Sequence, residues 1–135
     1  MIRKAAKSVI AMFLAAFAVT TIRAWELPEG IKALPVNGYQ MAYAEQGSGE
    51  VIILVHGTVG DYRDFQGQVT AFAPQYRAIA PSLRHYYPEP WDGKSDTLTL
   101  GQHVADLAAF IRALDTGSVH LVGFSRGGQV ALHMA

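Results

Sequence analysis

The chain has 135 residues and a mass of 14.6 kDa, so it forms one domain at most. Half of its residues are hydrophobic and 16% are charged, which excludes a disordered tail or a polar linker. Eleven basic residues balance eleven acidic ones, so charge gives no indication of a nucleic-acid partner. There is no Cys and no metal-ligand spacing among the five His residues, which excludes disulfides and a thiol nucleophile and predicts no metal site.

Residues 1–24 have the pattern of a secretory signal peptide. Basic residues near the start precede an uncharged run, and the small residue Ala24 suits a cleavage site. As a helix, the apolar run at 9–22 would span about 21 Å, at ~1.5 Å per residue, against a hydrocarbon core of ~30 Å. We therefore expect a cleaved signal and a periplasmic or secreted protein. An uncleaved N-terminal membrane anchor is the alternative.

Residues 25–135 are predicted to be the N-terminal part of one folded domain. They carry seven basic and eleven acidic residues, a net charge of about −4. This charge gives no electrostatic reason to bind nucleic acid or an anionic membrane surface, so neither is an expected partner.

Strand and helix patterns alternate along this part of the chain. Asn37-Gly38 is a strong hairpin signal, and the apolar run VIILV is typical of a strand buried on both faces. Thr99 and Gln102 have the spacing of a capping box, and Gly117 suits a helix stop. The predicted elements are strands at 31–36, 39–44, 51–55, 76–80 and 119–122, helices at 64–73, 100–114 and 129–135, and a long loop at 82–98. This order predicts an α/β sheet with helices on both faces.

The motif G-x-S-x-G spans residues 123–127 and lies directly between a predicted buried strand and a helix. A sharp turn there would project the Ser125 hydroxyl clear of the sheet, and Gly123, Gly127 and Gly128 would relieve the crowding. The N–H of Arg126, at the helix start, is the expected donor to an oxyanion. We interpret Ser125 as a nucleophile; the alternative is that it caps the helix in an ordinary strand-to-helix turn.

His56-Gly57-Thr58 directly follows the VIILV strand, and with the Arg84 loop and the GFSRGG turn it resembles the α/β-hydrolase superfamily over residues 36–135. The resemblance implies the α/β-hydrolase fold, the branch with a serine nucleophile, and no cofactor. It also implies that the N–H of Thr58 is a second oxyanion donor. His56 and Gly57 are then residues that shape the loop.

Other residues near this edge leave alternatives open. Arg84 and His85 either line the substrate rim or have a structural role, which we favour. Tyr86, Tyr87 and Trp91 either form an apolar pocket or pack the loop down. Of the remaining histidines, His103 is expected in solvent and His120 in the core, whereas His133 lies about 12 Å along the helix axis from Ser125, too far for a general base.

In this family the nucleophile is followed by an Asp or Glu and then by a His. No acidic residue follows Ser125, so we expect a fragment truncated after the nucleophile turn, without the acid and histidine of its triad. The parent is predicted to be an exported serine hydrolase of esters or related carbonyl compounds. The alternatives are a non-catalytic remnant, a binding protein completed by a partner, and activity like that of cofactor-free haloperoxidases or carbon–carbon bond hydrolases. Epoxide hydrolases and haloalkane dehalogenases have Asp in place of Ser125, so those activities are disfavoured.

Overall fold

The computed structural model describes residues 26–91, 93 and 96–135; the predicted signal peptide lies outside them. The elements are β1 (Lys32–Val36), β2 (Tyr39–Gln46), β3 (Val51–Val55), a 3-10 helix (Tyr62–Phe65), α1 (Gln66–Phe72), β4 (Arg77–Pro81), α2 (Leu100–Leu114), β5 (Val119–Gly123) and α3 (Arg126–Met134). No helix in the described ranges is long and apolar enough to span a membrane.

The five strands form one mixed sheet in the order β1-β2-β4-β3-β5. β1 pairs with β2, and β2 with β4, in antiparallel fashion, whereas β4, β3 and β5 run parallel to one another. The predicted α/β class is therefore confirmed. The carboxyl ends of β3, β4 and β5 meet at one edge, and this edge carries the loops that the sequence singles out.

The predicted hairpin joins β1 and β2. Asn37 and Gly38 have φ angles of 42° and 86°, so both turn residues adopt the left-handed conformation. A two-residue turn of this kind matches the right-handed twist of the flanking strands. The hairpin turn predicted from Asn37-Gly38 is therefore confirmed.

β3 lies between β4 and β5 in the sheet, and all five of its residues are buried. Alternate side chains of a strand point to opposite faces, so β3 contributes to two cores. The larger core lies under α2 and α3 and includes Ile53, Leu107, Phe110 and Val130; the smaller lies under α1 and includes Leu54 and Val69. Each large apolar side chain buried in this way contributes roughly 1.5–3 kcal/mol.

α2 begins as predicted, and its buried residues include polar ones. The Thr99 hydroxyl accepts a hydrogen bond from the Gln102 N–H at 3.1 Å. The fully buried residues include His103 and Asp106, so the expectation that His103 lies in solvent is wrong. The helix ends at Asp115, whose φ is 49°, rather than at Gly117, because a short polar side chain tolerates the left-handed conformation.

β5 forms one border of the described sheet. Within the described residues it pairs only with β3, and its side chains are half-buried or exposed rather than fully buried. His120 was expected in the core, but its side chain is 60% exposed and lies 3.4 Å from Glu50. The expectation is wrong because a border strand lacks the neighbour that would cover it.

A buried ion pair joins three distant segments of the chain. The Arg84 guanidinium donates to both carboxylate oxygens of Asp106, at 2.7 and 3.1 Å, and to the carbonyl of Asn37 at 2.9 Å. The side chains of Asn37 and Gln102 also donate to Asp106, each at 2.8 Å. The Asp106 side chain is wholly buried, so its charge depends on these partners.

We predict that Arg84→Met destabilises the domain by about 3–5 kcal/mol, because it leaves the buried Asp106 carboxylate without its cation. Urea denaturation measures the change in the free energy of unfolding. Lys32→Met is the matched control: Lys32 is 57% exposed where it pairs with Glu45, so its loss should cost less than about 1 kcal/mol. Equal losses in the two variants would contradict the central role of the buried pair.

Candidate active site

Ser125 occupies a strained turn between β5 and α3. Its φ is 53° and its ψ is −116°, and its side chain does not cap the helix. A non-glycine residue in such a conformation costs about 1–3 kcal/mol and persists only where the surroundings hold it. The geometry is therefore unlike that of an ordinary capping serine, and it leaves Ser125 exposed to solvent at the carboxyl edge of the sheet.

Two glycines make this turn sterically feasible. A Cβ atom on Gly123 would lie 2.3 Å from the carbonyl oxygen of Gly127. A Cβ atom on Gly127 would lie 2.0 Å from the carbonyl oxygen of Val55. At Gly128 the nearest such contact is 3.3 Å, which is tight but less restrictive. Gly123 and Gly127 thus let the start of α3 pack directly on the backbone of β5 and β3.

The loop after β3 lies against the same turn. The Phe124 N–H donates to the Val55 carbonyl at 3.0 Å. A Cβ atom on Gly57 would lie 3.2 Å from the Ser125 Cβ and from the Phe124 ring. The fold therefore brings Gly57, the residue before Thr58, beside Ser125 although 68 positions separate them in the chain. Within the described residues, the N–H groups of Thr58 and Arg126 have no hydrogen-bond acceptor.

His56 links two loops and is held in one tautomer. Its Nδ1 lies 2.7 Å from the Gly57 carbonyl, and its Nε2 accepts a hydrogen bond from the Leu83 N–H at 3.0 Å. These partners require the proton on Nδ1. Burial lowers the pKa of His56, so the ring is neutral and both nitrogens are engaged. This arrangement shapes the loop and offers no free nitrogen to act as a base.

Arg84 and His85 begin the loop after β4 but point to different partners. Arg84 is committed to Asp106, and its side chain is only 12% exposed. The ring of His85 lies 2.6 Å from the Thr97 hydroxyl and packs on Trp91, with ring centroids 5.3 Å apart. The His85 N–H also donates to the Glu89 carboxylate. Arg84 is thus placed in the structural role, and His85 ties its own loop together.

The three aromatic residues of this loop divide between the two expected roles. The Tyr86 ring packs edge-on against His56, with centroids 4.8 Å apart, and its hydroxyl is buried. Tyr87 stacks near Tyr62 and lies 4.0 Å beneath the guanidinium carbon of Arg63, yet it is 45% exposed. Trp91 is 41% exposed. Tyr86 therefore packs the loop down, whereas Tyr87 and Trp91 present apolar surface at the rim.

Sequence reasoning missed three buried polar residues that support these loops. Asp61 accepts from the Arg63 N–H at 2.9 Å and caps the 3-10 helix, as its position before Tyr62–Phe65 could have suggested. Ser82 accepts from the Tyr62 N–H at 3.1 Å. Ser82 has no local signal, because its partner Tyr62 lies 20 positions away; Asp106 has one local partner, Gln102, but its cation Arg84 lies 22 positions away.

Two further observations define what the site contains. Within the described ranges, no group of three or more His, Asp or Glu residues could hold a metal ion. His133 lies on the exposed side of α3, where its Nδ1 is 2.8 Å from the Gln129 carbonyl. The described site thus presents an exposed hydroxyl group at a strained turn beside the Gly57 loop.

Comparison with known proteins identifies the family of this chain. The profile of the Alpha/beta hydrolase family matches residues 52–135. This chain belongs to that family, and the fold class expected from the sequence is confirmed.

Individual relatives match the same part of the chain. A soluble epoxide hydrolase from Corynebacterium sp. (strain C12) is 32% identical over 102 residues, covering 74% of this chain and 34% of its own length. A 3-hydroxybutyrate-oligomer hydrolase from Cupriavidus necator is 27% identical over 104 residues, which cover 75% of this chain and 36% of that hydrolase. The crystal structure of an epoxide hydrolase from Vigna radiata matches with a TM-score of 0.72 at 31% identity. The match covers 77% of this chain and 34% of the epoxide hydrolase chain. The chain spans about a third of the length of these relatives.

We predict that Gly127→Ala destabilises the domain by about 3 kcal/mol or more, at the upper end of overpacking costs, because the added methyl group meets backbone that cannot move aside. Gly101→Ala is the control. Gly101 lies in α2, and a Cβ atom added to it would have no other atom within 4 Å. That control should raise stability by up to about 1 kcal/mol. Urea denaturation of both variants tests the difference, and a neutral Gly127→Ala would contradict the close approach to β3.

We predict that His103 makes stability depend on pH. Burial, and then the nearby Arg126, lower the pKa of His103 from 6.5 to about 4. The folded state therefore binds this proton less readily than the unfolded state does. The stabilisation is fully present above about pH 6.5 and is lost as the pH falls towards 4.

The measurement is the melting temperature across that pH range. His103→Phe should flatten the decline, and the exposed His133→Phe should leave it unchanged. Some slope should persist, because burial lowers the pKa of His56 as well. An unchanged slope in His103→Phe would show that other groups cause the decline.

Proposed function

We propose that this chain is the nucleophile-bearing part of a serine hydrolase that acts on an ester or related carbonyl compound. The observation that carries the proposal is the strained turn at Ser125, set against the loop that contains Thr58. In the proposed reaction the Ser125 Oγ attacks the carbonyl carbon of a small-molecule substrate. The N–H groups of Thr58 and Arg126 stabilise the negative charge on the former carbonyl oxygen.

The identity of residue 125 supports carbonyl chemistry over the chemistry in the names of several relatives. Two of these relatives are named an epoxide hydrolase and a haloalkane dehalogenase. The family resemblance implies Asp at the corresponding position of such enzymes, where a carboxylate attacks carbon directly. A hydroxyl group is better suited to acyl transfer. The relative named for 3-hydroxybutyrate oligomers is a hydrolase of a different substrate class, consistent with this interpretation.

The attack requires a base for the Ser125 proton. Within the described residues, both ring nitrogens of His56 are engaged and the His85 ring is bonded to Thr97. His103 is wholly buried whereas Ser125 is exposed, and His133 lies on the exposed side of α3. The family resemblance places the acid and the base after the nucleophile in the chain order. We therefore propose that none of these histidines is the general base for Ser125. We propose separately, from their signal-peptide pattern, that residues 1–24 direct the protein to export.

We predict that a fluorophosphonate probe labels the chain slowly and only at Ser125, because none of the described histidines is placed to take its proton. Ser125→Ala should abolish any labelling, whereas the exposed Ser118→Ala should preserve it. Mass spectrometry of the labelled peptide identifies the modified residue. Labelling that persists in Ser125→Ala would overturn the assignment. In a protein that completes the fold with an acid and a histidine, Ser125→Ala should remove nearly all turnover while the fold is retained.

A further inference from the structure

Two exposed apolar side chains lie beside the candidate active site. Phe124 directly precedes Ser125 and is 68% exposed, and Val59 directly follows Thr58 and is fully exposed. Single exposed apolar residues are common on protein surfaces, whereas neighbouring ones mark surfaces that bind a ligand or a partner. Phe124 and Val59 are 65 positions apart in the chain, so only the fold can make them neighbours.

Phe124 packs against the loop after β3. A Cβ atom on Gly57 would lie 3.2 Å and 3.5 Å from two atoms of the Phe124 ring, and 3.2 Å from the Ser125 Cβ. The Phe124 N–H also donates to the Val55 carbonyl at 3.0 Å, which fixes the backbone of this residue. One edge of the ring thus rests on Gly57 beside the Ser125 side chain, and the rest of the ring is open to solvent.

Val59 lies in a tight turn that begins at the same Gly57. The Gly60 N–H donates to the Gly57 carbonyl at 3.2 Å, so Thr58 and Val59 are the central residues of a four-residue turn. A Cβ atom on Gly60 would overlap the Asp64 carboxylate, so the end of the turn packs closely on the 3-10 helix. The turn therefore holds Val59 in solvent, one residue from Thr58 and two residues from the glycine that Phe124 contacts.

Contact with hydrocarbon is the interaction that these two side chains can offer a ligand, because neither has a polar atom. Arg63 and Arg84, which lie in the adjacent loops, are engaged by Asp61 and Asp106. A ligand that covers the exposed apolar surface gains free energy roughly in proportion to the area removed from water. The chemistry beside Ser125 therefore matches a hydrocarbon group.

We propose that Phe124 and Val59 bind a hydrocarbon chain of the substrate beside Ser125. The inference rests on the proposed function and names its substrate class, an ester or related carbonyl compound with an apolar chain next to the reacting carbonyl group. Each methylene group of the chain that contacts the two side chains leaves water, so binding tightens as the chain lengthens. Phe124 and Val59 are thus specificity-determining residues that take no part in making or breaking bonds.

The first test is binding without reaction. The 135-residue chain with Ser125→Ala is titrated with methyl hexanoate, and methyl acetate is the short-chain control. NMR follows the Val59 methyl groups and the Phe124 ring. Methyl hexanoate should shift both sets of signals and bind about tenfold or more tightly than methyl acetate, because its additional methylene groups are partly removed from water.

Variants locate the effect. Phe124→Ala should weaken binding of methyl hexanoate about fivefold or more, and Phe124→Leu should restore most of the loss. Val59→Thr keeps the shape of the side chain but replaces a methyl group with a hydroxyl group, and should weaken binding by a smaller factor. Leu132→Ala is the matched control, because Leu132 is 78% exposed but lies seven residues beyond Ser125 on α3. Circular dichroism checks that each variant is folded; Val59 is fully exposed, so Val59→Thr remains informative if Phe124→Ala does not fold.

The second test connects binding with reaction in the chain that retains Ser125. Two fluorophosphonates that differ only in an ethyl or an octyl group are compared; in both, the Ser125 Oγ bonds to phosphorus, fluoride leaves, and the hydroxyl proton passes to solvent. The octyl probe should label Ser125 about tenfold or more faster than the ethyl probe, and Phe124→Ala should remove most of that difference.

Equal binding of the two esters, or equal weakening in Leu132→Ala and Phe124→Ala, would overturn the inference. The two proposals fail in different ways. Chain-length-dependent ester binding without any labelling of Ser125 would refute the hydrolase and keep the apolar binding surface. Labelling of Ser125 at a rate that is independent of chain length would keep the hydrolase and overturn the role of Phe124 and Val59.

Discussion

The site depends on one close backbone contact, the approach of the start of α3 to the end of β3. It requires the absence of a side chain at Gly127, where a Cβ atom would lie 2.0 Å from the Val55 carbonyl oxygen. The hydrogen bond from the Phe124 N–H to the same carbonyl fixes the turn from the other side. Ser125 can hold its strained conformation because the packing and the hydrogen bond on either side of it fix the backbone of the turn. The same contact brings the Gly57 loop against Ser125 and so assembles the candidate oxyanion donors.

Buried polar groups, rather than the apolar cores, fix the loops around this contact. His56 joins the loop after β3 to the loop after β4 through the Leu83 N–H. Asp106 joins that second loop to the β1–β2 hairpin and to α2 through Arg84 and Asn37. Such groups are directional and costly to leave unpaired, so they select one loop arrangement among many that would bury similar apolar area. A rigid edge of this kind is what preorganised donors require.

The sequence by itself determined the features that depend on neighbouring residues: the Asn37-Gly38 turn, the buried VIILV strand, the Thr99 cap and the G-x-S-x-G turn. Each involves a few consecutive residues whose steric and hydrogen-bonding preferences act locally. Only the tertiary structure decided that His103 is buried, that His120 is exposed on a border strand, and that Arg84 pairs with Asp106. These outcomes depend on which segments pack together, and the partners lie too far apart in the chain for a local pattern to specify them.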